Sequence, residues 1–145
     1  GKLKRVYSIG YKNAKGAWNN LVSSLTFMDG TQVSVTSCQQ MHGDYPFSMG
    51  LRYLGTNGCI EFTSVSGETL RGEAATTITK YVSGAEAEKM TLPQGDGYYN
   101  EIRYFIDRVK DGQPLDKVPV EDSVMSIKVI EAVVKSLETG KVVKM

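Results

Sequence analysis

The hydrophobic period changes once along this chain, and that change limits what it can fold into. As far as Leu92, apolar and polar residues tend to alternate; from Ile102 onward the apolar ones recur at steps of three and four. A period of two places successive side chains on opposite faces of a strand, whereas steps of three and four draw a stripe along a helix. Strands followed by helices predict an α+β fold: a predominantly antiparallel open β-sheet with two C-terminal helices packed on one face.

The turn residues mark out the strands. Leu21, Leu25 and Phe27 share one parity and Ser24 and Thr26 the other, and Asp29-Gly30 then predicts a tight turn. The return run, Thr31 to Met41, sets Val33 and Val35 against Ser34 and Thr36. Lys4–Tyr11, Met49–Leu54, Cys59–Val65, Thr76–Val82 and Lys89–Leu92 are the remaining predicted strands. In "LRYLGTNGCIEF" the two glycines lie between strands, and Asn57-Gly58 is expected to turn a hairpin with both residues in the left-handed region. A dinucleotide loop would need G-x-G-x-x-G spacing and a helix after it, and this stretch has neither.

The first helix carries Ile102, Phe105, Ile106 and Val109 on one stripe and stops at Asp111-Gly112. Glu101 is expected to complement its start. The second begins near Glu121 after Pro119, carries Ile127, Ile130, Val134 and Leu137, and ends at Gly140. One sheet face meets the helices. The other, rich in Ser, Thr, Gln and Tyr, faces water or a partner.

At 145 residues the chain makes one domain, 1–145, and 41% hydrophobic with 23% charged residues is a globular composition. A net charge of +1 gives no long-range pull toward nucleic acid or anionic lipid, so neither is an expected partner. No apolar run is long enough to cross a bilayer and no export leader is visible, so a cytoplasmic address without membrane contact is expected. Cys38 and Cys59 read as two reduced thiols. The opening Gly1 reads as the start of a piece of a longer polypeptide.

Three stretches carry a resemblance. "MGLRYLGTNGCIEF" resembles the G-T-x-G-x-I/L-E-F hairpin of Gfo/Idh/MocA oxidoreductases, the glucose-fructose oxidoreductase and inositol dehydrogenase family. "YYNEIRYFIDRVKDGQPL", residues 98–115, is similar to that family's Y-x-x-E-x-x-x-F-x-x-x-x-x-x-G helix. Residues 120–143 resemble its closing helix, with E-A-x-x-x-S-x-x-x-G-x-x-V falling on Glu131, Ala132, Ser136, Gly140 and Val143. With "FMDGTQVSV" the likeness spans nearly the whole chain.

The resemblance implies the C-terminal domain of an enzyme whose upstream Rossmann domain holds NAD or NADP and contributes an E-K-P lysine. Such enzymes oxidise a sugar, cyclitol or related alcohol by hydride transfer, or run the reverse; this domain supplies the substrate wall and the subunit interface. The chain contains neither the G-x-G-x-x-G loop nor the E-K-P motif, so the Rossmann domain is absent, no cofactor is expected in the fragment, and the fragment alone is expected to turn nothing over. The alternative is a non-catalytic binding or oligomerisation module. The implied partners are a polyol or sugar and, through the open sheet face, another copy of the chain.

Three residues are candidate substrate contacts. Tyr98 matches a family tyrosine whose phenol donates to a sugar hydroxyl. His42, the single histidine, sits beside Asp44 and Tyr45 on a predicted loop. Arg52 alternates with Tyr53 in a strand, to contact an anionic group or pair across the sheet. Trp18 could stack on a sugar, but a single Trp opening a strand is more often core or interface. No residue is assigned a catalytic or metal-binding role.

Overall fold

A computed structural model of the chain describes residues 1–66, 75–91 and 97–145. In chain order the elements are β1 (Leu3–Lys12), β2 (Trp18–Phe27), β3 (Gln32–Cys38), β4 (Ser48–Leu54), β5 (Gly58–Val65), β6 (Ala75–Val82), β7 (Glu88–Lys89), α1 (Gly97–Lys110), α2 (Val120–Thr139) and β8 (Val143–Lys144). The α+β reading holds, antiparallel throughout, with both helices at the C-terminal end. Among the described residues the strands divide into two sheets, β3-β2-β1-β8 and β4-β5-β6-β7. The chain forms two compact units, Gly1–Met41 with Arg103–Met145, and His42–Ile102.

In the first unit, Asp29-Gly30 turns β2 into β3 as expected. Gly30 takes a φ of 91°, and the Asp29 carboxylate accepts the Thr31 N–H at 2.9 Å. The alternation of β1 sends Val6, Ser8 and Gly10 to one face, level with Leu25, Ser23 and Leu21 of β2. That face receives α2. Leu3, Val6, Leu25 and Ala132 form the buried core, with Val33, Val129 and Val143 packed against it. Val6 is fully buried, a position at which a valine contributes on the order of 1.5–3 kcal/mol.

The face that α2 presents agrees with the stripe read in the sequence only at Val134, half-buried, and Leu137. Ile127 and Ile130 are more than half exposed, while Ala132, Ser136 and Leu137 are buried. A hydrophobicity pattern gives weight to large residues, but small ones let the helix come close to the strand beneath. A Cβ built on Gly10 would lie 3.2 Å from Leu137 Cδ2 and 2.5 Å from the Asn20 carbonyl oxygen. Contact therefore runs through Ala132, Ser136 and Gly10. α2 ends at Gly140 in the left-handed conformation, φ 64°, with its N–H on the Ser136 carbonyl. Beyond it lies β8, a two-residue strand missed in the sequence, which pairs Val143 with Val6.

In the second unit, β4 and β5 form the expected hairpin, but the turn is built differently. Gly55 N–H reaches the Gly58 carbonyl at 2.9 Å, and neither Asn57 nor Gly58 has a positive φ. Gly58 already belongs to β5, and a Cβ there would collide with the Tyr81 carbonyl of β6. Close strand approach, not a left-handed turn, is what requires this glycine. The predicted Lys89–Leu92 strand is β7, Glu88–Lys89, and its Leu92 falls outside the described residues, as does most of "LPQGDG".

α1 starts at Gly97, so Glu101 lies beyond its first turn, which holds no acidic residue. Its C-terminal end is fastened by its own side chains. Tyr104 donates to Asp116 at 2.7 Å and accepts the Lys117 N–H at 3.0 Å, while Arg108 reaches Asp116 at 3.0 Å. The stripe of Phe105, Ile106 and Val109 remains exposed.

Candidate functional site

The three residues singled out in the sequence all belong to the His42–Ile102 unit, on three different segments. His42 is exposed in the stretch between β3 and β4, next to Gly43, whose φ of 62° turns the chain there. Tyr98 occupies the first turn of α1 and is 79% exposed. Arg52 lies in β4 directly opposite Glu61 of β5. Its Nε donates to Glu61 Oε1 at 3.1 Å, and an Nη makes a second contact to the same oxygen. This hydrogen bonding, reinforced by the charge of Glu61, raises the Arg52 pKa further. A guanidinium thus committed has its remaining donors for a ligand, and its charge is already balanced.

Around Arg52 the sheet is polar on one face and apolar on the other. Thr63 and Thr77 share a 2.7 Å hydrogen bond on the Arg52 side. Met49, Leu51 and Tyr53 are all more than half exposed on the opposite side, level with Phe62 and Ile60.

In the first unit, the sheet face turned away from α2 carries Tyr7, Ile9 and Tyr11 from β1, Val22 and Ser24 from β2, and Ser34 and Thr36 from β3. It mixes hydroxyls with Ile9, 54% exposed, and Val22, 44% exposed. At one end Asn20 donates to Tyr11 Oη at 2.5 Å and to Gln40 Oε1 at 2.8 Å. Trp18 lies under the Lys12 ammonium at 4.9 Å.

The polar groups that sequence reading passed over are structural. Ser136 Oγ accepts the Ser8 N–H at 2.9 Å and donates to the Lys141 carbonyl at 2.7 Å. Ser8 and Ser23 join their hydroxyls at 2.7 Å. The available signal was the serine in the closing motif, a polar residue where the helix pattern calls for burial. Cys38 and Cys59 are unbridged, and the Cys38 thiol contacts Met41 Sδ at 3.4 Å. Among the described residues no three His, Cys, Asp or Glu converge on a metal-sized site, and no helix is long and apolar enough to cross a membrane.

The glycine stretch does not fit a dinucleotide. Gly55 to Gly58 join one strand to another, and a phosphate cradle needs the free N–H groups of a helix start.

The profile of a Gfo/Idh/MocA family, described as "Oxidoreductase family, C-terminal alpha/beta domain", matches residues 25–145. No curated protein matches. Among solved structures, an aldose-aldose oxidoreductase from Caulobacter crescentus, complexed with glycerol, aligns with 99% of this chain and 42% of its own, at TM-score 0.74 and 16% identity. A Desulfitobacterium hafniense protein named as an NADPH-dependent oxidoreductase aligns with 99% and 42%, at TM-score 0.73 and 19% identity. An NAD-binding protein from Listeria innocua aligns with 99% and 46%, at TM-score 0.54 and 17% identity. At such identities the likeness shows the fold, and the chain spans less than half the length of these structures.

Proposed function

Because the chain belongs to the Gfo/Idh/MocA oxidoreductase family, as its C-terminal alpha/beta domain, we propose that it is the substrate-side and assembly part of a longer NAD(P)-dependent oxidoreductase. The observation that carries this reading is the family match across residues 25–145. The substrate class is a sugar, cyclitol or similar alcohol. A bound nicotinamide supplies the hydride chemistry, and it is held by residues outside this chain, whose Gly55–Gly58 turn joins two strands and opens no helix.

In this reading the residues here position and enclose. The Tyr98 phenol donates to a substrate hydroxyl, His42 borders the pocket, and Arg52, held by Glu61, offers a fixed donor at the wall. The base that takes the alcohol proton as hydride leaves comes from upstream. The sheet face carrying Ile9, Val22 and Thr36 joins a second copy. Support for that pairing comes from its mixture of half-exposed apolar and hydroxyl side chains, with small charge.

The test is the full reading frame and its product. The upstream sequence is expected to encode a strand, a G-x-G-x-x-G turn, a helix and an E-K-P lysine, and the purified longer protein to reduce NAD+ or NADP+ with a polyol. Residues 1–145 alone are expected to do neither. A frame without that upstream segment, or nicotinamide turnover by 1–145 itself, overturns the reading.

A further inference from the structure

The hairpin that joins β4 to β5 carries the chain's one Asn-Gly step, and its two reactive groups are left uncommitted. Asn57 is exposed, and its carboxamide makes no hydrogen bond among the described residues. A two-residue connection can be closed by a reciprocal pair of backbone bonds. Here the Gly55 N–H reaches the Gly58 carbonyl at 2.9 Å, but the Gly58 N–H makes no bond back to the Gly55 carbonyl. In an antiparallel ladder a residue's N–H and C=O leave the strand on the same side. The Gly58 N–H, like its carbonyl, is therefore turned away from β6. No Cβ shields that nitrogen, and none can be added, since a Cβ on Gly58 would lie 2.4 Å from the Tyr81 carbonyl.

The other asparagines are held or hindered. Asn13, Asn19, Asn20 and Asn100 each precede a residue that has a side chain. Asn13 Oδ1 also accepts the Lys15 and Ala17 N–H groups, at 2.9 and 3.0 Å. Asn20 Nδ2 donates to Tyr11 Oη and, at 2.8 Å, to Gln40 Oε1.

We infer that Asn57 is a modification site, at which the chain deamidates itself through the Gly58 backbone nitrogen. On losing its proton to hydroxide, that nitrogen attacks Asn57 Cγ. An N–Cγ bond forms and the Cγ–Nδ2 bond breaks. Nδ2 takes a proton from water and leaves as ammonia, and a cyclic imide remains. Water then opens the imide on one of its two sides. Attack at Cγ gives aspartate; attack at the Asn57 backbone carbonyl carbon gives isoaspartate. No atom is oxidised or reduced. Either product puts a carboxylate where an amide stood and lowers the net charge of +1 by one. Isoaspartate also lengthens the main chain between Thr56 and Gly58 by a carbon, which the tight Gly55–Gly58 closure does not accommodate.

Peptide mapping by mass spectrometry tests this. The purified chain is held at mildly alkaline pH and physiological temperature, folded or in urea, and sampled over time. In the folded chain, conversion at Asn57 is expected to run at least about tenfold faster than at Asn13 or Asn20. It should quicken as pH rises, because hydroxide removes the amide proton, and both aspartate and isoaspartate should accumulate. Asn57→Gln, whose longer side chain would have to close a larger ring, is expected to stop ammonia release from this peptide. Conversion at Asn57 no faster than at Asn13 or Asn20 overturns the inference. Conversion in urea that is absent from the folded chain overturns it too, by showing that the hairpin protects Asn57. So does undiminished ammonia release from Asn57→Gln, which would place the reaction elsewhere.

Discussion

The hydroxyl of Ser136 accepts the backbone N–H of Ser8 at 2.9 Å and donates its own O–H to the Lys141 carbonyl at 2.7 Å. Both serines are buried. β8 pairs with β1 only at Arg5 and Val6, so two residues further on the Ser136 side chain stands where a neighbouring strand would be. One side chain therefore satisfies the sheet edge, the helix dock and the following turn. The rest of the closing motif follows from the same geometry: Ala132 sits in the core, Gly140 supplies a positive φ, and Val143 pairs with Val6.

Ser136→Ala is expected to destabilise the chain by about 1–3 kcal/mol, because it strands a buried N–H and a carbonyl. Urea unfolding followed by circular dichroism measures it. A change under about 0.5 kcal/mol would mean that water replaces the hydroxyl and the dock is not what holds α2.

Two glycines are expected to differ. At Gly10 an added methyl meets the Asn20 carbonyl at 2.5 Å, whereas at Gly50 the nearest atom, the Phe62 carbonyl, is 3.5 Å away. Gly10→Ala should therefore cost about 1–3 kcal/mol through overpacking, and Gly50→Ala should cost under about 0.5 kcal/mol. Thermal melts of the two variants side by side decide it; equal losses would mean that β1 and β2 part enough at Gly10 to admit a methyl group.

Asp116 gives the α1–α2 connection a pH dependence. Its hydrogen bond from Tyr104, and then the Arg108 charge, hold its carboxyl below the ordinary carboxylate range. A depressed folded-state pKa means that the stabilisation is present above the unfolded value of about 3.9 and is lost as pH falls through the folded one. Melting temperatures from pH 6 to pH 2 should fall less steeply for Asp116→Asn than for the parent, starting from a lower value. Parallel curves would show that the contact does not contribute. The carboxylate is exposed, so the difference should shrink in high salt.

Assembly is tested by charge. Thr36→Glu places a carboxylate amid Ile9 and Val22 on the open face, and is expected to shift sedimentation from dimer toward monomer. A parent chain that stays monomeric at high concentration would remove the interface from the proposal.

Tyr98→Phe in the full-length protein should lower kcat/KM for a polyol by roughly 2–12-fold, the worth of one neutral hydrogen bond. An unchanged value would return Tyr98 to a purely structural place at the start of α1.

The sequence by itself determined the element types and most of their limits. Alternation and the period of three and four are local consequences of backbone geometry, and Gly30 and Gly140 act through φ angles that few other residues adopt. Of the candidate contacts, sequence supplied the residue types and their chain positions; the pairing of Arg52 with Glu61 followed from strand register. Tertiary structure alone decided which face of α2 is buried, why Gly58 must be a glycine, and that the chain forms two units. These depend on close approach between segments distant in sequence. Ala132, Ser136 and Gly10 do their work by being small, and a small side chain leaves no mark in a hydrophobic pattern until the surface it admits is in place.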